Sequence, residues 1–186
     1  MVGLSGLWMP IVLSAVGVFI VSSLIHMVFN WHKGEFQSPP NEAALADAMR
    51  PFNIPPGEYI MPYASDMKAM GSPEFQARIQ KGPNVMMTVR PNQMAGMGKM
   101  LTLWFLYSLV VSVFSAYVAG RALPQGADYL VVFRFAGVTA FCAYSLGIWQ
   151  NWVWWGKSTR AAIMSTIDGL IYAGVTGGVF GWLWMR

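Results

Sequence analysis

Four long apolar runs, Leu7–Phe29, Met100–Gly120, Tyr129–Trp149 and Ala161–Trp184, leave few folds open to this 186-residue chain. A helix rises about 1.5 Å per residue, so roughly 20 residues cross the ~30 Å of hydrocarbon in a bilayer. Each run meets that length and holds at most one charged side chain. Charged residues form only 11% of the chain, against about 25% in soluble domains. The competing reading, buried helices in a large soluble protein, does not account for so many span-length runs with so little charge. The pattern predicts an all-α integral membrane protein with four transmembrane helices in a bundle.

Residues 31–98 separate the first two runs, which divides the chain into a first helix (1–30), an extramembrane segment (31–98) and a three-helix transmembrane unit (99–186). The segment reads as a small mixed α/β piece. Asn41 caps a helix over Glu42–Arg50 that Pro51 stops, and Ser72-Pro73-Glu74 opens another that ends at Gly82. Tyr59–Met61 and Val85–Val89 have the composition of short strands and are expected to pair. With few large aliphatic residues its core is thin, so packing on the membrane face or on a partner is expected.

Lys33, Arg90, Lys99, Lys157 and Arg160 lie on one side of the four runs, and Arg121, Arg134 and Arg186 towards the other. The positive-inside bias favours a cytoplasmic 31–98 segment with both termini outside, in a cell membrane of the bacterial inner-membrane kind. The N-terminal run lacks a basic leader and ends in Asn30, Trp31, His32 and Lys33, which suit an interfacial anchor. It is therefore expected to be a retained span and not a signal peptide. The net charge of +4 is dispersed, so no nucleic-acid partner is expected. One cysteine, Cys142, excludes an internal disulfide and any Cys-based cluster within one chain.

Small residues mark the fourth run. Gly169, Ala173, Gly177 and Gly181 recur every four residues, with Gly174 and Gly178 as a second GxxxG pair. In lipid, close backbone approach is a main source of helix association, so this face is expected to pack against other spans or another subunit. Asp168 lies in the same run, and a carboxylate at membrane depth normally has a protein or water partner. Alternating topology puts His26, Ser22, Ser23, Tyr107, Ser108, Tyr144 and Ser145 near its depth. This layer reads as interhelical hydrogen bonding or, more sharply, as a proton or ion relay through His26 and Asp168. His26 and His32 are six residues apart, and on one continuous helix they would face differently and not share a metal. Trp149, Trp152, Trp154 and Trp155 read as an aromatic belt, as do Trp182 and Trp184 at the other interface.

Met94, Met97 and Met100 form an MxxMxxM spacing whose soft thioethers suit Cu(I), although methionine is also a general gap-filler. No phosphate loop, nucleophile elbow, zincin or dinucleotide motif is present, so no enzymatic activity and no cofactor beyond the copper alternative are expected. The expected role is a non-enzymatic accessory or scaffold subunit of a membrane complex. Its partners are the lipid bilayer and either another protein or further copies of the chain. The alternative is a small oligomeric transporter or channel built on the Asp168 layer, and Cu(I) handling comes third.

Overall fold

The computed structural model describes residues 2–93 and 96–185. It is 70% helical, with four helices long and apolar enough to cross a membrane and a small two-stranded sheet. The helices are α1 (Trp8–Met27), α2 (Glu42–Met49), α3 (Met67–Met70), α4 (Pro73–Lys81), α5 (Met97–Ala122), α6 (Tyr129–Phe141), α7 (Ile148–Trp155) and α8 (Thr159–Trp182). The strands are β1 (Gly57–Met61) and β2 (Val85–Val89). Two units result, Met1–Gln37 with Gly96–Arg186, and Ser38–Ala95.

In the first unit α1 packs on α5 and α8, while α6 packs on α5 and α8, so the four long helices close a ring. Large side chains face outward: Leu103, Leu106, Val110 and Phe114 are exposed along α5. Its inward face is small and hydroxylated, with Ser108, Ser112, Ser115, Ala116 and Ala119 buried. Fully buried Leu7, Ala116, Ala119, Val132 and Phe180 form a dry apolar cluster where α1 and α6 begin and α5 and α8 end.

Backbone proximity joins α6 to α8. A Cβ at Gly177 would lie 2.7 Å from the Phe133 carbonyl oxygen, and one at Gly181 2.7 Å from the Tyr129 ring. Gly169 sits directly against Ser145 and Tyr144, and Ala173 presents its carbonyl to Gly137. Gly174 has no neighbour within 4 Å, and Gly178 meets only the Tyr129 hydroxyl at 3.7 Å.

The third long helix does not stop at Trp149. It passes through a widened π turn at Cys142–Leu146 and continues as α7 to Trp155. Gln150 and Asn151, polar enough to suggest a loop, stay helical. The chain leaves only at Gly156, whose φ of 59° suits the left-handed cap that glycine tolerates. The gap of residues 150–160 between the third and fourth apolar runs thus shrinks to the few residues before Ser158, which caps α8 by accepting from the Ala161 N–H.

In the second unit, β1 and β2 pair antiparallel with Tyr59 opposite Met87. Asn41 caps α2 through the Ala44 N–H, and Ser72 caps α4 through the Phe75 N–H at 3.1 Å. Phe75 is the one buried apolar side chain among the described residues of this unit.

Two substitutions test these packing statements. Gly177→Ala forces a methyl against backbone and should cost about 1–3 kcal/mol, whereas Gly174→Ala should be neutral or slightly stabilising. Thermal unfolding in detergent separates the pair. Ser72→Ala removes a cap of about 1 kcal/mol, so amide exchange in the first turn of α4 should quicken roughly fivefold.

Candidate metal centre

α8 buries Ala162, Asp168, Gly169, Tyr172, Ala173 and Thr176, a spacing of three to four that places Asp168 on the inward stripe. It lies about 14 Å along the helix from Thr159 and is 4% exposed. Such a carboxylate needs hydrogen bonds and a compensating charge.

Polar partners come from the turn after α1. The helix ends at Met27, and Val28 and Phe29 both donate their N–H to the Leu24 carbonyl. A short 3-10 turn at Asn30–His32 follows, and Gly34 has a φ of +91° that releases the chain. The reversal brings this turn back against α8. The Trp31 indole N–H donates to Asp168 Oδ1 at 3.1 Å, and the Arg160 guanidinium donates to the Trp31 carbonyl at 3.2 Å.

His32 and His26 complete the cluster. His32 Nε2 lies 2.7 Å from Asp168 Oδ2, and His26 Nε2 lies 3.9 Å from the same oxygen. The two imidazole rings are 4.5 Å apart between centroids. The expectation that these histidines could not serve one metal fails here because the helix does not continue past Met27. His32 Nδ1 is held at 2.7 Å by Glu35 Oε1. In the tautomer that donates from Nδ1 to Glu35, the ring presents Nε2 as a lone-pair donor.

Nε2 and Oδ2 are close but not aligned as a hydrogen bond, and Nε2 is buried with no hydrogen-bond partner among the described residues. An imidazole nitrogen and a carboxylate oxygen at this range form a close polar pair that can share a proton or a metal ion. Among the described residues, the cationic groups within ion-pair distance of Asp168 are these two imidazoles. A divalent ion at this position would supply charge to offset the carboxylate.

Ligands bonded at about 2.0–2.2 Å sit roughly 3–3.5 Å from one another around an ion, which the observed 2.7 and 3.9 Å bracket. His26, His32 and Asp168 thus offer three donor atoms, all within 4.8 Å of one another. Neutral imidazole with carboxylate suits zinc, iron, cobalt and nickel in the divalent state.

The remaining polar residues of the expected layer have mostly local partners. The Tyr107 hydroxyl donates to the Ala143 carbonyl, which the π turn frees, at 2.8 Å. Ser108 and Ser23 donate to Trp104 and Phe19 carbonyls of their own helices, and the Trp104 N–H donates to Ser22. The Tyr144, Ser145 and Tyr172 hydroxyls are buried without a hydrogen-bond partner among the described residues. Met97 and Met100 are exposed in the first turn of α5, and Met94 lies outside the described residues, as does Arg186. Sequence reasoning missed Trp31, His32 and Glu35 as site residues. The available signal was a histidine three residues before a glutamate, with a glycine between them to turn the chain.

Comparison of the chain with protein-family profiles, curated proteins and solved structures finds no match. Function is therefore argued from geometry. If Trp31 and His32 hold the turn through Asp168, Asp168→Asn removes a charge-assisted bond worth about 1.5–3 kcal/mol. Amide exchange over residues 29–35 should then rise at least tenfold, and unchanged exchange would refute that role.

Proposed function

We propose that this chain is a multi-pass membrane protein that binds one divalent first-row transition metal at His26, His32 and Asp168. The observation that carries the reading is the convergence on one buried carboxylate oxygen of His26, from the last turn of α1, and His32, from the reversed turn after it, the latter paired with Glu35. Membrane location is supported by the inverted packing, with large apolar side chains outside and small or hydroxylated ones inside. In water so much exposed apolar surface would drive aggregation. The excess of Lys and Arg around residues 31–98 supports an orientation with the metal end of the bundle in the cytoplasm and both termini outside.

An accessory-subunit role is compatible with this site and has its own support. The Ser38–Ala95 unit buries only Phe75 among the apolar side chains of its described residues, while Phe52, Tyr63 and Met67 are exposed. That core is too thin to be stable unaided. A protein partner that copurifies from the membrane as a stable complex by native mass spectrometry supports this second reading, and a homogeneous single species removes it. The transporter alternative requires an ion to pass the dry cluster around Leu7, Val132 and Phe180.

Purified full-length protein should bind one Zn²⁺ or Co²⁺ per chain by calorimetry. His26→Ala, His32→Ala and Asp168→Asn should each weaken binding at least tenfold. Glu35→Gln should weaken it about 10–100-fold, as losing the partner that orients a ligand usually does. Protons compete for imidazole nitrogen, so affinity should fall as pH is lowered. Met97→Leu with Met100→Leu should leave it unchanged. Full-affinity binding to the His32 and Asp168 variants would sink the proposal.

A further inference from the structure

We infer that an ion at this centre keeps open coordination positions that take a phosphate oxygen, so that this end of the bundle is a phosphate-binding site. The inference rests on the metal reading. Its first support is the ligand count. Three donor atoms converge, whereas the metals that suit this set take four to six ligands. Glu35 Oε1 is engaged with His32 Nδ1, and the Trp31 indole has only a proton to offer.

The second support is direction. The Asp168 side chain is 6% exposed, that of His32 18% and that of His26 51%. An ion among them rests on a buried anchor, and its unfilled side opens towards His26 and the surroundings.

The third support is charge. Asp168 and Glu35 cancel a divalent ion, which leaves the nearby cations uncompensated. Lys33 follows His32 directly, and the Arg160 guanidinium spends one N–H on the Trp31 carbonyl and keeps the others free to pair. Both residues are exposed, and neither is in an ion pair among the described residues. A phosphate offers hard oxygens to the ion and a second pair to the guanidinium fork. Its source is a phospholipid headgroup, which lies at the level where span-length helices end, or free phosphate.

Full-length protein in a maltoside detergent free of phosphate is loaded with Co²⁺, whose visible bands report its ligands. Inorganic phosphate and a short-chain phosphatidylglycerol are then titrated separately. The expected result is a band shift with phosphorus-31 line broadening, and a half-saturation raised about tenfold in Arg160→Gln and in Lys33→Gln. The Co²⁺ bands before addition should be unchanged in Lys33→Gln, whereas Arg160→Gln, which also loses the bond to the Trp31 carbonyl, is read against its own starting bands. A response to inorganic phosphate identifies the free anion as sufficient, and a response to the lipid alone identifies the headgroup. Bound Co²⁺ that responds to neither overturns this inference and leaves the metal reading standing. Absence of Co²⁺ bands overturns both.

Discussion

One buried carboxylate organises the charged end of this bundle. Asp168 sits on the inward stripe of α8, beside the glycine that lets the π turn approach. Left alone, it would carry a desolvation cost that no apolar packing offsets. The turn after α1 answers it with an indole N–H and an imidazole, and Arg160 fastens that turn by the Trp31 carbonyl. The connection leaving α1 is thus fixed by electrostatics, while the rest of the bundle is fixed by shape.

Shape works through small residues. Gly177 and Gly181 let α8 approach the backbone and ring of α6, and serines and alanines fill the inner face of α5. Helices packed this closely gain dispersion contacts without a hydrophobic driving force, as hydrocarbon solvent requires. The polar cluster sits at the end where the chain reverses. There a half-exposed histidine meets two better-buried donors.

Much of the fold was legible because its signals are local. Long apolar runs, Asn41 and Ser72 caps and two β-rich pentads each report on their own stretch of chain, and the helices, caps and ribbon follow. Asp168 stood out for an equally simple reason, as the one acid in a long apolar run. Its partners did not, because Trp31 and His32 reach it through a reversal set by where α1 ends, 137 residues away from Asp168 in the case of Trp31. Spacing rules that assume a continuous helix separate His26 from His32, and three residues of turn reunite them. The length of the third helix was hidden differently: Gln150 and Asn151 are polar but compatible with a helix, and only Gly156 ends it.

The widened turn at Cys142–Leu146 also sets the angular phase of everything after it. One extra residue in a helical turn rotates the following segment by about 100°. With that offset, Trp149 and Trp152 point their indole N–H groups at the Thr166 and Thr159 hydroxyls of α8, at 3.0 and 2.9 Å. A regular helix of the same sequence less one residue would swing both rings aside and remove these two bonds to the N-terminal part of α8. The bulge therefore acts as a phase adjuster, and the alignment of the helix that carries Asp168 depends on a single inserted residue in its neighbour.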